Sequence, residues 1–277
     1  MADGGIFLMS VKERETLVLR VKAAGLVHRA RTTYDQALKL NPEFDVAVLH
    51  LGNLYFQTGR YDEAIKSYQR YISLAESDWD KAWGWGRIAW VHWRKGQISK
   101  AAAAAEKELR LDNNSFANSL IIAFERGDAG KAERFKQRLY EPSLYTERGL
   151  RPSLRRFYYL RGHAGINSNR PTEAIDNFRE LLGHRPMIWD IDSFEDSLAN
   201  AYFELGRFDE AIAEYQRILQ INPNYPLAHF HLAQAFERKG VMIDAASFYR
   251  QFLEIWKEAD ADIPDVVAAK RFIANSL

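Results

Sequence analysis

The chain has 277 residues, 47% of them apolar and 13% aromatic, so it can bury a continuous core and wholesale disorder is excluded. Its 38 basic and 37 acidic side chains leave a net charge of +1, which gives no global attraction to nucleic acid or to an anionic membrane. The absence of cysteine excludes disulfides and thiolate chemistry. The sequence has neither a secretory signal pattern nor a run of about 20 apolar residues, and therefore predicts a cytoplasmic protein without membrane contact.

A short motif recurs along the chain at a nearly fixed interval. GRYDEAI occupies residues 59–65, and GRFDEAI occupies residues 206–212. Glycines at the same position recur in steps of 34, 37 and 34 residues within two blocks, at Gly25, Gly59 and Gly96 and at Gly206 and Gly240. Each glycine predicts a left-handed helix end, and the Asp-Glu pair of the motif favours the start of a following helix. The pattern therefore predicts repeated helix–turn–helix units.

Further residues keep the same spacing around each predicted corner. One unit carries Leu51, Gly52, Tyr55, Gly59, Ala64 and Tyr68, and another carries Leu198, Ala199, Tyr202, Gly206, Ala211, Tyr215 and Pro223. With these residues the chain resembles the tetratricopeptide-repeat (TPR) family over most of its length. The resemblance implies an all-α fold, a right-handed superhelical solenoid of about seven helix pairs with a C-terminal capping helix. The tail around residues 252–264 is also similar to the ends of repeat regions in some bacterial regulatory and kinase-linked proteins, which points to a bacterial source.

We expect a single solenoid over residues 1–277. Three N-terminal repeats would occupy residues 11–112, a degenerate repeat and an irregular connection 113–154, three C-terminal repeats 155–259 and the capping helix 260–277. The third repeat departs from the pattern because tryptophans in its first helix stand against an alanine run at 101–105. Its Gly84 and Gly86 indicate either a close helix contact or a local irregularity.

No motif predicts catalysis. No glycine-rich loop is followed by Lys-Ser or Lys-Thr, as a phosphate-binding loop requires. The closest histidines, His229 and His231, would point to different sides of a helix and make a poor metal pair. The recurring Asp-Glu pairs fit helix starts better than paired catalytic carboxylates. We therefore expect no enzymatic activity, no metal site and no cofactor.

The predicted binding surface is the concave groove that the family resemblance assigns to the first helix of each pair. The first-helix residues that packing does not require are His50, Asn53, Gln57, Trp83, Arg87, Trp90, Arg94, Asn200, His231, Gln234 and Arg238. Asparagine can bond a peptide backbone, arginine can hold a carboxylate and tryptophan supplies a large rigid contact. An alternative stays open for the tryptophans, which could instead be core residues matched to the alanine run.

A second candidate surface is rich in arginine and lacks acidic residues between positions 148 and 170. This basic patch comprises Arg148, Arg151, Arg155, Arg156 and Arg161. It could dock an acidic partner such as RNA. Alternatively, the arginines pair with acidic residues of the next unit, namely Asp190, Asp192, Glu195 and Asp196.

Together these patterns predict a non-catalytic protein–protein interaction scaffold that binds a partner segment in its groove. Two alternatives remain: a regulatory or sensor segment of a larger bacterial signalling protein, and an RNA-binding helical repeat, which the balanced charge disfavours. Self-association through the exposed solenoid ends is also open.

Overall fold

The computed structural model of the protein describes residues 26–138, 154–184 and 194–276. These ranges contain fourteen α-helices and no strand. The first seven are α1 (Leu26–Leu40), α2 (Asp45–Gln57), α3 (Tyr61–Leu74), α4 (Asp78–Arg94), α5 (Ile98–Leu111), α6 (Ala117–Glu125) and α7 (Ala129–Arg138). The others are α8 (Leu154–Asn167), α9 (Pro171–Gly183), α10 (Ser197–Glu204), α11 (Phe208–Ile221), α12 (Pro226–Arg238), α13 (Met242–Ile255) and α14 (Pro264–Asn275).

The helices pack in consecutive pairs, which confirms the predicted all-α solenoid. The pairs are α2 with α3, α4 with α5, α6 with α7, α8 with α9, α10 with α11 and α12 with α13. We refer to them as repeats 2 to 7. Helix α1, the second helix of the first predicted repeat, packs on α2, and α14 packs on α13 as the predicted capping helix does. The first helix of repeat 1 and most of the predicted irregular connection lie outside the described residues.

The corners between paired helices share one backbone geometry. Gly59 and Gly206 have φ angles of 73° and 71°, and the other predicted corner glycines within the described residues are also left-handed. The amide that follows each glycine bonds back across the turn, from Arg60 N to Tyr55 O at 2.9 Å and from Arg207 N to Tyr202 O at 2.8 Å. The left-handed helix cap is therefore confirmed. Repeat 5 uses Asn169, at φ 54°, because asparagine tolerates this conformation better than other non-glycine residues.

Small residues allow neighbouring helices to approach closely, both within a repeat and between repeats. A Cβ atom on Gly52 would lie 2.7 Å from the Tyr68 ring, and one on Gly84 would lie 2.4 Å from Ile72 Cγ1. A Cβ atom on Gly86 would lie 2.5 Å from a carboxylate oxygen of Glu108. Helix α4 runs unbroken through both of its glycines. Of the two readings of Gly84 and Gly86, the structure supports close helix contact.

Buried side chains form two hydrophobic cores. The first spans the middle and C-terminal repeats and includes Leu120, Phe178 and Leu232. The second joins repeats 2 and 3 to repeat 7 and the capping helix, so that Tyr61 shares a cluster with Phe252. The C-terminal end of the solenoid therefore packs against its N-terminal repeats.

The close approach of α8 and α9 yields a stability prediction. A Cβ atom on Gly162 would lie 2.3 Å from the buried Phe178 ring. We expect Gly162→Ala to destabilise the protein, because overpacking costs about 1–3 kcal/mol and outweighs the gain of up to about 1 kcal/mol in helix propensity.

The matched control is Gly130→Ala, where the new Cβ would meet a single atom of the described residues, Asp128 Oδ1, at 3.9 Å. This variant should keep or slightly raise the free energy of unfolding measured in urea. Equal midpoints for the two variants would contradict the close packing of α8 on α9.

Candidate functional site

Two predicted groove residues, Trp83 and Arg87, form an aromatic and basic surface on α4 together with Trp79, which was not predicted for the groove. Trp79, Trp83 and Arg87 follow one another at four-residue intervals and therefore share one face of α4. The rings of Trp79 and Trp83 stack with centroids 5.8 Å apart, and the Arg87 guanidinium lies 4.8 Å from the Trp83 ring centroid. Trp79 is 46% exposed. We call these three side chains the aromatic ladder.

On α2, the nearest predicted groove residue is His50. Its ring stacks on Tyr34 of α1, with centroids 5.7 Å apart. Burial, and to a smaller extent the charge of Arg87, lower the pKa of His50. The lowered pKa favours the neutral imidazole at pH 7, so among the described residues of this surface the cationic group is Arg87.

The predicted groove asparagines make the same internal contact in two repeats. The buried Asn53 side chain accepts a hydrogen bond from the Tyr68 hydroxyl at 2.8 Å, and Asn200 accepts one from Tyr215 at 2.6 Å. These amide oxygens hold the two helices of a repeat together. His231 stacks on Tyr215, 5.9 Å between centroids, and its Nδ1 lies 3.1 Å from the Gln234 amide oxygen.

Further along α4, the groove residues contact other repeats of the same chain. Trp90 packs against Trp93, with ring centroids 4.7 Å apart, and against Tyr159 of α8, at 6.3 Å. Arg94 forms an ion pair with Asp265 of α14 at 2.8 Å. Trp90 therefore lies against the first helix of repeat 5, and Arg94 lies against the capping helix α14. Of the α4 residues predicted to line the groove, Trp83 and Arg87 lie on the ladder side.

The structure also shows a contact between a C-terminal segment and repeats 2 and 3 that the sequence analysis missed. Residues 256–265, which connect α13 to α14 and form the first turn of α14, lie across the corners of repeats 2 and 3. We call this segment the strap. The Trp256 indole donates a hydrogen bond to the backbone oxygen of Gln57 at 3.1 Å, and its ring meets Tyr61 edge-on at 6.0 Å. The Asp260 amide donates to Gly59 O at 3.0 Å.

A lysine ammonium group is the centre of this contact. Lys95, only 3% exposed, lies between Asp62 of repeat 2 and two strap residues, Asp260 and Asp262, at distances of 3.0, 3.1 and 3.1 Å. Burial alone would lower the pKa of Lys95, but the hydrogen bonds to the three carboxylates raise it above its usual range. The Asp62 amide also donates to Asp260 Oδ2 at 3.0 Å. The strap is therefore held by charge as well as by apolar packing.

Of the basic patch, Arg155 and Arg161 are described with their side chains. Arg155, 2% exposed, pairs with Glu195 at 2.7 Å and donates to the backbone oxygen of His184. Arg161 lies 3.9 Å from Glu173. Arg148 and Arg151 lie outside the described residues, and the Arg156 side chain is not described. For Arg155, the pairing with Glu195 matches the second alternative from the sequence, in which the arginines pair with acidic residues of the next unit.

Among the described residues, no three histidine, aspartate or glutamate side chains are grouped as metal ligands would be. In the same part of the chain, no helix combines the length and apolar character that crossing a bilayer needs.

Family models match the chain in two places. A model described as "Tetratricopeptide repeat" matches residues 17–80, and one described as "TPR repeat" matches residues 199–240. Among curated proteins, the photosystem I assembly protein Ycf3 of Synechococcus is 28% identical over 109 residues, which are 37% of this chain and 63% of that protein. The chain spans less than two thirds of the length of the curated relatives it matches.

Solved structures are similar in fold. A tetratricopeptide repeat protein from Parabacteroides merdae superposes with a TM-score of 0.53 at 14% identity, covering 95% of this chain and 97% of that one. A chain in the crystal structure of the APC/C hetero-tetramer Cut9–Hcn1 gives a TM-score of 0.54 at 17% identity, covering 97% of this chain and 49% of that one. At these identities the likeness concerns the fold alone.

The buried ammonium group at the strap contact yields a second prediction. Lys95→Met should destabilise the protein by about 2 kcal/mol, because it leaves carboxylates of the strap contact without their counter-charge. The value is below that of a fully buried ion pair because Asp62 and Asp262 remain largely exposed.

Lys239→Met is the matched control, since Lys239 pairs with Asp209 in the same way but is 37% exposed. Its free energy of unfolding in urea should stay within about 1 kcal/mol of the wild type. If the free energy of unfolding falls by a similar amount in both variants, or in neither, the Lys95 ion pairs do not hold the strap.

Proposed function

We propose that this chain, which is a tetratricopeptide-repeat protein, is a non-catalytic scaffold that binds a segment of a partner protein on the aromatic ladder. The observation that carries the proposal is the set of contacts that the Arg87 guanidinium makes. Within the described residues, its guanidinium stacks on Trp83 and makes no ion pair. A cation beside two stacked tryptophans favours a partner carboxylate that lies next to an apolar side chain.

The surroundings of Arg87 support this assignment. His50 is neutral and competes for no carboxylate, while Trp79 offers an exposed ring at the outer end of the ladder. Arginine and tryptophan are also the residue types that most often dominate the binding energy of protein interfaces. Affinity would therefore come from a few side chains rather than from the whole length of the groove.

The remaining groove residues contribute less to partner contact, because most of them already contact other parts of the chain. Trp90 and Arg94 already contact Tyr159 and Asp265 of the same chain, so they contribute to shape more than to partner contact. Gln57 contributes its backbone oxygen to the strap. Gln234 bonds His231, and Arg238 is exposed at the end of α12. We therefore assign the primary contact to Arg87 with Trp79 and Trp83.

A peptide-display library selected on the purified full chain tests this function. We expect enriched peptides to carry an acidic residue, or a terminal carboxylate, beside an aliphatic or aromatic residue. Arg87→Glu should weaken the binding of an enriched peptide at least about tenfold, because the central cation becomes a repulsive charge.

Arg110→Glu is the matched control, with the same charge change on the neighbouring helix at a residue whose side chain is 78% exposed. It should leave the affinity unchanged. Peptides held equally well by wild type, Arg87→Glu and Arg110→Glu would refute the aromatic ladder as the binding site. Circular dichroism establishes that each variant is folded.

A further inference from the structure

The surface on which the strap lies occurs twice in the chain. In repeat 2 the strap contacts the corner between α2 and α3, through Gly59, Tyr61 and Asp62. The corner between α10 and α11 in repeat 6 carries equivalent residues at an offset of 147, namely Gly206, Phe208 and Asp209. We call the first surface the strap seat and the second the open seat.

The other half of each seat is duplicated as well. In repeat 3 the end of α4 supplies Arg94, Lys95 and Gly96 to the strap. In repeat 7 the end of α12 carries Arg238, Lys239 and Gly240, again just before the next helix of its pair. The six strap-seat residues named above thus each have a counterpart in the open seat, with phenylalanine in place of the tyrosine.

The two seats are also built by the same internal contacts. Lys239 bonds Asp209 across repeats 6 and 7, as Lys95 bonds Asp62 across repeats 2 and 3. Arg207 pairs with Glu210 at 2.6 Å and lies 4.7 Å from the Tyr202 ring centroid, and Arg60 repeats both contacts at the same distances. The internal contacts of the open seat therefore match those of the strap seat.

The two seats differ in how far other residues of the chain bury them. A Cβ atom on Gly59 would lie 2.6 Å from Ala259, whereas one on Gly206 or Gly240 would meet no atom of the described residues within 4 Å. Lys95 is almost completely buried, whereas Lys239 is more than a third exposed. Beside Gly240, Met242 and Ile243 are 51% and 86% exposed, so the open seat also has an apolar margin.

The remaining described corners do not share this pattern. The position of Asp62 is taken by Ser99 in repeat 3 and by Thr172 in repeat 5. The position of Lys239 is taken by Leu205 in repeat 6. The lysine–aspartate pair is therefore particular to the two seats and is not a general property of the repeat.

We propose that the open seat binds an extended segment of another protein with the chemistry of the strap. That segment carries a tryptophan followed by aspartates four and six residues later, the spacing of Trp256, Asp260 and Asp262. The tryptophan packs on Gly206 and Phe208, and the aspartates pair with Lys239. An apolar residue after the aspartates, in the place of Pro264, meets the exposed Met242. This interaction is separate from the aromatic ladder and does not depend on it.

The probe for this proposal is a fluorescein-labelled peptide of residues 254–266, titrated against the full chain and followed by fluorescence anisotropy. We expect saturable binding of one peptide per chain. Lys239→Glu should weaken it at least about tenfold, because the cation that meets both aspartates is replaced by a repulsive charge. Met242→Glu, at the apolar margin, should weaken it too, and a peptide with Asp260→Asn and Asp262→Asn should bind weakly to the wild type.

The matched control is Arg126→Glu. Arg126 is exposed and also precedes a corner glycine, but the position equivalent to Asp209 in the preceding repeat is Ser99 and supplies no partner carboxylate. Its affinity for the peptide should equal that of the wild type.

Three results would overturn the proposal. The first is no saturable binding to the wild type. The second is unchanged binding to Lys239→Glu, which would mean that the peptide displaces the chain's own strap or binds elsewhere. The third is a dimer in sedimentation that Lys239→Glu converts to a monomer, which would assign the open seat to the strap of a second copy.

Discussion

A buried ammonium group joins two parts of this chain that are far apart in the sequence. Lys95 brings a carboxylate of repeat 2 together with two carboxylates of the strap, and it is shielded from water by that contact. Such a charge is tolerated in a protein interior only when its partners stay in place. The second hydrophobic core depends on the same contact, because Trp256 and Ile263 enter it from the strap. The closed form of the solenoid therefore depends on a charge that must remain paired.

Local features of the fold could be predicted from the sequence because they depend on nearby residues. The corner glycines, the small residues facing aromatic rings and the capping helix follow from backbone preferences and from packing within one or two repeats. The corner at Asn169 could not be predicted in the same way, because asparagine adopts left-handed backbone less often than glycine and gives a weaker signal. The strap could not be predicted, because its position depends on small rotations between repeats that add up over the whole chain.

The candidate sites show the same division between local and cumulative effects. Helical spacing was sufficient to place Trp83 and Arg87 on one face of α4, and the structure adds that Arg87 stacks on that tryptophan. Spacing could not reveal that Arg94 forms an ion pair with Asp265, which lies 171 residues further along the chain. It also could not distinguish Lys95 from Lys239, which occupy the same place in their repeats. One is covered and the other is open only because the strap reaches the first of them.

The strap also changes how such an array should come apart. In a linear stack of repeats each unit contacts only its neighbours, so unfolding can begin as fraying at either end. Here the C-terminal end is tied to repeats 2 and 3, and it has to detach before its repeats can peel away. These contacts, nearly 200 residues apart in the chain, raise the contact order above that of an open stack. Closure should therefore make folding slower and unfolding more cooperative than in an untied array of the same repeats.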